Sequence, residues 1–237
     1  STTGKPLLAN DPHLGLTAPA VWYFAHIKAK DMNVIGATLP GIPPVVLGRT
    51  NQLAWGFTNT SPDVQDLYIE AIDPKNPALY KTPEGMASFK VRRETIFVKG
   101  KPPIDFLVRE SRHGPIISDA YPPAAKVIDT QRFALALRWT ALDANNQSIL
   151  AMFDSNKAQD IDEFKQAIRK NYAPMQNIVF ADVNGNIAYE AAGVAPIRSK
   201  NQGFGGVVPA LGWEKQYDWT GYLKTEELPR EENPDRG

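Results

Sequence analysis

No cysteine occurs among the 237 residues. Disulfides, thiol catalysis and thiolate metal sites are therefore excluded. Neither sign of charge is in excess, since 26 Lys and Arg balance 26 Asp and Glu. A nucleic-acid partner calls for a basic stripe, and none is present. No apolar run approaches the ~20 residues that cross a bilayer, so no membrane partner is expected. The opening residues show no charged-then-apolar leader pattern. Three motif classes are missing as well. The glycines Gly203, Gly205 and Gly206 follow no strand-to-helix arrangement, so they form no phosphate loop. Asp182-Val183-Asn184-Gly185-Asn186 opens like an EF-hand, but its Gly comes too early and the twelfth position is Gly193 instead of Glu. No serine sits in a nucleophile elbow, so a triad of that type cannot be argued.

Proline, by contrast, is abundant at 20 residues, and many of these flank short β-like runs. Asp11-Pro12 disfavours helix at Asp11 and predicts a loop. Residues 19–30 read as a short helix, with Pro19 in the first turn and Trp22, Ala25 and Ala29 at helical spacing. Residues 33–39, 44–49, 52–58 and 66–72 read as strands separated by turn residues. Residues 89–98 and 104–109 form a hairpin pattern around Lys99-Gly100-Lys101, and 132–139 suits a buried strand. Residues 147–153 are helical. A second helix opens at Asp160, where Glu163 completes a capping-box signature and Ile161, Phe164, Ala167 and Ile168 form the apolar stripe. Asn184-Gly185 between 177–182 and 186–190 is the strongest short hairpin signal. No repeat is present. Strands, then helices, then strands favour a layered α+β architecture, one core across 1–237 with a β-rich subregion at about 80–140.

Several segments, taken in order, form one pattern. The first is Gly4-Lys5-Pro6-Leu7-Leu8-Ala9-Asn10-Asp11-Pro12-His13-Leu14. The second runs from Gly36-Ala37-Thr38-Leu39-Pro40-Gly41 to Ala54-Trp55-Gly56-Phe57-Thr58-Asn59 and Asp63-Val64-Gln65-Asp66. Gln176-Asn177-Ile178-Val179-Phe180-Ala181-Asp182, His113-Gly114-Pro115 and Tyr217-Asp218-Trp219-Thr220-Gly221 complete the set. Together they resemble the penicillin acylase family of N-terminal-nucleophile hydrolases, and the resemblance covers nearly the whole chain. It implies a four-layer αββα sandwich, seen here as part of a β-chain, and cleavage of a linear amide through an acyl-serine. It implies an α-chain from the same precursor as partner, a small acyl-amide as substrate, and a periplasmic or extracellular location. The nucleophilic serine, whose own α-amine is the base, is expected a short stretch upstream of Ser1, and an oxyanion-holding asparagine beyond Gly237. Ser1 itself lies too close to His13 for the family pattern. This chain alone is therefore expected to lack turnover.

The resemblance also carries roles onto single residues. His13 follows a loop and could hold the nucleophile by hydrogen bonding, where the bland reading is a histidine packed in a turn. The Asn59 N–H, at a strand end, would donate to the oxyanion, while Asn also favours strand-ending turns. Asp63, Asp66 and the main-chain carbonyl of Gln65 would contribute to a structural Ca²⁺ site, which takes six to eight oxygens. The alternative is an exposed acidic turn. Leu14, Leu47 and Phe57 would line the acyl pocket, or serve as ordinary core. His26 and His113 read as structural. Two rivals remain: an acylase relative without catalysis, and a β-rich ligand-binding module. Against the second, Trp55 and Trp139 sit in apolar strands and look like core.

Overall fold

The computed structural model describes residues 4–200 and 205–235. The chain opens with strands β1 (Tyr23–Ala29), β2 (Met32–Thr38), β3 (Leu47–Arg49) and β4 (Leu53–Asn59). Next come β5 (Gln65–Asp73), β6 (Asn76–Thr82), β7 (Gly85–Ser88), β8 (Lys90–Ile96), β9 (Ile104–Ser111), β10 (Gly114–Pro115) and β11 (Phe133–Trp139). Helices α1 (Ser148–Lys157) and α2 (Ile161–Ile168) lead into β12 (Gln176–Asp182) and β13 (Ile187–Ala192). Short strands β14 (Pro196–Arg198), β15 (Ala210–Leu211), β16 (Trp219–Tyr222) and β17 (Arg230–Glu232) end the chain. The chain is mostly sheet with two α-helices, in keeping with an α+β class. Contacts divide it into two compact units, residues 1–62, 144–195 and 223–237, and residues 63–143 and 196–222.

The first unit is built on one antiparallel sheet of order β1-β2-β3-β4-β12-β13-β17. Along β4 and β12 the buried apolar residues alternate, Leu53 and Trp55 with Ile178 and Phe180, so one face collects a core. Both helices cover that face. Phe164 of α2 is fully buried between Trp55 and Phe180, with ring centroids 5.4 and 4.9 Å away. Burying a side chain of that size contributes roughly 1.5–3 kcal/mol. The start of α2 follows its sequence signature: the Asp160 carboxylate accepts from the Glu163 N–H at 2.8 Å. The Glu163 carboxylate reaches back to the Gln159 N–H, one residue short of the full capping box. The opposite face of the sheet is open by comparison. Phe24 is 82% exposed there, and Ile35 and Val179 are exposed too.

Residues 19–30 are not helical. They supply β1, which pairs with β2 along its full length, Tyr23 opposite Thr38 and Ala29 opposite Met32. Tyr23, Phe24, Ile27 and Val21 are β-formers, and a tight hairpin through Lys30-Asp31 brings β2 alongside. Strand pairing then overrides a helical spacing that had no N-cap to nucleate it. Residues 44–49 shorten to the three of β3, because side chains take the Pro44 carbonyl, both Val45 groups and the Val46 carbonyl, and only the Val46 N–H still bonds to β2.

The second unit holds the sheet β11-β5-β6-β7, with β15 parallel to β5, the three-stranded β10-β9-β8, and the β14–β16 pair. Its core gathers Tyr68, Tyr80, Phe89, Ile116, Ala134 and Ala136. The hairpin read from Lys99-Gly100-Lys101 is present, with Ile96 opposite Ile104.

Candidate active site

Hydrogen-bond alternation along β4 decides which way each backbone amide points. Val183 N–H donates to Gln52 O at 3.0 Å on the β12 side, and Thr50 N–H donates to Leu53 O at 2.8 Å on the β3 side. In an antiparallel ladder these directions alternate residue by residue. Even positions of β4 therefore face β12 and odd positions face β3. Asn59 is an odd position, so its N–H turns toward the β3 side. It lies beyond the last β3–β4 pair in register, Gly48 with Trp55. The Asn59 side chain faces the other neighbour, where Oδ1 accepts from Gln176 Nε2 at 2.8 Å. The strand end is thus pinned through its side chain while its amide faces away from β12.

The loop bearing His13 is anchored on the same strand. Asn10 packs directly over Gly56, where an added Cβ would overlap the Asn10 side chain. Three residues on, His13 Nδ1 lies 2.8 Å from the Asp11 carbonyl, and its side chain is 87% exposed. No hydrogen bond joins His13 to Asn59 among the described residues. What they share is the Asn10–Gly56 contact, three residues from each. Leu14 is exposed. Leu47 is buried and lines a groove of about 930 Å³ with Leu8, Asn10, Trp22 and Phe24. Phe57 turns the other way, against the helix-covered core. Leu47 and Phe57 therefore do not share a wall. Two donors of groove residues, Asn10 Nδ2 and Trp22 Nε1, are buried with no partner. Ser1 lies outside the described residues.

In the second unit, Asp66 is 3% exposed and receives a two-pronged contact from Arg198, at 2.9 and 3.0 Å. The Trp219 indole N–H donates to the same carboxylate. Arg198 also reaches Asp63, with Nη2 3.2 Å from its carboxylate and Nη1 donating to its carbonyl at 3.1 Å. Desolvation alone would lower the Arg198 pKa, but the Asp66 and Asp63 carboxylates outweigh it and raise it. Gly206, at φ +86°, closes over the pair, and a Cβ there would overlap the Asp66 carboxylate. Thr140 N–H donates to Val64 O, so alternation turns the Gln65 carbonyl away from β11. Both Asp66 oxygens are taken by Arg198 and Trp219 and Arg198 also reaches Asp63, so a cation here would have to displace the guanidinium, and the set falls short of the six oxygens Ca²⁺ needs. Among the described residues, no three His, Cys, Asp or Glu side chains gather to hold a metal.

His113 is buried between two carboxylates. Nδ1 lies 2.7 Å from Glu70 and Nε2 3.0 Å from Asp218, while the ring stacks on Tyr68 at 3.6 Å. Both ring nitrogens are therefore engaged by carboxyl groups. Arg112 makes two bonds of 2.7 Å to Asp218. Burial alone would raise the Asp218 pKa, but Arg112 and His113 bring it below the usual carboxylate range. Burial pushes the Tyr68 hydroxyl pKa well up, with the Asp66 charge adding to it. His26 is a surface residue, with Nε2 2.9 Å from Asn33 Oδ1.

The penicillin amidase family model matches residues 1–237. The chain belongs to the penicillin amidase family. It is 36% identical to an acyl-homoserine lactone acylase QuiP of Pseudomonas fluorescens, over all of this chain and 28% of that protein. It is 34% identical to the protein of that name from Pseudomonas aeruginosa, over all of this chain and again 28% of the relative. The penicillin G acylase of Escherichia coli is 30% identical over 98% of this chain and 26% of its own length. Among solved structures, the thermostable penicillin G acylase from Alcaligenes faecalis superposes with a TM-score of 0.78 at 27% identity, covering 92% of this chain and 38% of that one. This penicillin amidase chain thus spans little more than a quarter of the curated relatives it matches.

Sequence reasoning missed two residues of this penicillin amidase chain, Arg198 and Asn156. Arg198 meets Asp66 across 132 positions and Asn156 meets Val45 across 111, so no local spacing announces either contact.

Proposed function

We propose that this chain is the central part of the β-chain of an amidohydrolase that cleaves a linear acyl-amide, of the acyl-homoserine lactone or penicillin type, through an acyl-serine. The observation that carries this is the Asn59 N–H, turned off the ladder at the end of β4, with the His13 loop anchored on that strand. In the proposed reaction the serine hydroxyl, supplied from outside this chain, attacks the amide carbonyl and passes its proton to its own α-amine. The Asn59 N–H and a downstream asparagine hold the developing oxyanion. Collapse expels the amine, which takes that proton, and water then hydrolyses the ester to release the acid. His13 steadies the nucleophile, and Leu47, on the open face of the sheet, contributes to the acyl pocket, while Phe57 belongs to the helix-covered core.

The same reading gives the open sheet face a partner. Exposed Phe24, Ile35 and Val179, and the partnerless donors of Asn10 and Trp22, suit a second layer from the rest of the precursor, including its α-chain. That layer would complete the αββα sandwich and would work in the periplasm or outside the cell. Asp63, Asp66 and the Gln65 carbonyl are proposed as this chain's share of a Ca²⁺ site, with the remaining oxygens from the α-chain or water. Arg198 already neutralises Asp66, so the ion would chiefly tie chains together.

The test separates backbone from side chain. In the complete enzyme, Asn59→Pro deletes the N–H and is expected to lower kcat by about 10²–10³, the loss typical of one oxyanion donor. Asn59→Ala keeps the N–H and stays within a few-fold of wild type. Equal loss in both variants would show that the side chain, not the amide, is what matters and would sink the assignment.

A further inference from the structure

Asn156, in the last turn of α1, is 1% exposed and belongs to the helix layer. A buried amide is costly unless every group is satisfied. Here the Oδ1 accepts from the Val45 N–H at 2.7 Å and the Nδ2 donates to the Val45 carbonyl at 2.8 Å. One side chain therefore gives Val45 the two bonds that a neighbouring strand would otherwise give. Val45 lies two residues before Leu47. The segment leading to β3 is held from the sheet as well, by Thr38 Oγ1 shared between the Ile42 and Pro44 carbonyls at 2.6 and 2.7 Å, and by Trp55 Nε1 on Val46 O at 2.8 Å. β3 itself has only three residues, with three registered pairs to β2 and two to β4, and before it only the Val46 N–H keeps a bond to β2, on Ala37 O at 2.9 Å. It is too short to fix this segment unaided. Running backwards from Leu47, antiparallel to β4, the segment heads toward the end where Asn59 lies.

A leucine at position 156 would leave the N–H and carbonyl of buried Val45 without partners. Asparagine is a poorer helix former than leucine. It satisfies both backbone groups and at the same time fixes the distance between α1 and Val45. We propose that Asn156 is a positioning residue for acyl-group selectivity: by clamping Val45 it sets where Leu47 stands in the pocket wall. The proposal rests on the reading of Leu47 as part of the acyl pocket.

The test uses the complete enzyme and N-acyl homoserine lactones from hexanoyl to dodecanoyl. Asn156→Asp keeps the shape and the acceptor, but when ionised it cannot donate to the Val45 carbonyl and repels it. The ratio of kcat/KM between short and long acyl chains is expected to shift by about three- to tenfold, up to the lower end of what one whole methylene commands in an apolar pocket. The shift should lie in KM, with kcat changed by no more than about twofold, because Asn59 is not moved. Protonating the introduced carboxylate restores an O–H donor beside the acceptor. Lowering the pH should therefore return the variant's ratio toward wild type, whose own ratio stays flat over that range. A role confined to stability would lower the thermal midpoint without this pH-dependent return. If Asn156→Asp does not accumulate, Asn156→Gln keeps both groups one methylene further out and should shift the same ratio through KM. An unchanged ratio in the Asn156 variants, with a shifted ratio in Leu47→Ala, would overturn the clamp and leave the pocket standing. An unchanged ratio in Leu47→Ala would overturn the pocket reading, and this proposal with it.

Discussion

Replacing His113 by leucine would expose how the second unit handles buried charge. Glu70 is fully buried, with one carboxylate oxygen on His113 and the other without any partner. Gly212 presses against that second oxygen, and a Cβ there would overlap it, so no side chain at 212 can help. His113 is thus the hydrogen-bond partner that Glu70 depends on, with the Arg112 charge acting on it as well. Breaking a buried pair from one side typically costs about 3–5 kcal/mol, because a charge is left behind. Loss of the stacked contact with Tyr68 adds roughly 0.5–1.5 kcal/mol. A His113→Leu, Glu70→Leu double variant removes the orphaned charge and should recover much of the loss, since apolar replacements of a buried pair are often near neutral. Urea midpoints of the complete enzyme and its single and double variants, followed by tryptophan fluorescence, measure this. The reasoning is refuted if the double variant is as unstable as the sum of the two single ones.

Three further outcomes are expected. Gly56→Ala drives a Cβ into Asn10 and should lower kcat/KM about tenfold or more by displacing the His13 loop, a loss that adding Asn10→Gly relieves; steady-state kinetics on both variants decide it. Asp218 titrates below its unfolded range, so its contribution to stability is present above about pH 4 and fades as the pH falls through the lower folded value. Asp218→Asn should therefore destabilise the enzyme at neutral pH and flatten the acid limb of its thermal midpoint, seen by scanning calorimetry from pH 2 to 7. Removing Ca²⁺ with a chelator should lower the thermal midpoint of the complete enzyme by a few degrees and restore on re-addition; an unchanged midpoint discards the metal site.

Local signals were the legible ones. Asp160 caps α2 because an N-cap acts within three residues, and Asn184-Gly185 turns its hairpin because that dipeptide accepts the backbone it needs. Residues 19–30 misread because helical and strand spacings coincide over so short a run, and only pairing with β2 chose between them. The order of the motifs named Asn59 and His13, and the structure ties their segments together through Asn10 and Gly56 without giving either residue a role. The candidate site was not legible at Phe57, whose facing depends on strand parity relative to the helices. Nor could Asn156 or Arg198 be found, because each acts on backbone or carboxylate more than a hundred residues away.

The parity of β4 has an evolutionary edge to it. Side chains along the strand answer to their own contacts, Trp55 to Phe164 and Gly56 to Asn10. The number of residues answers to something else: deleting any one between Leu53 and Asn59 would swing the terminal N–H round into β12.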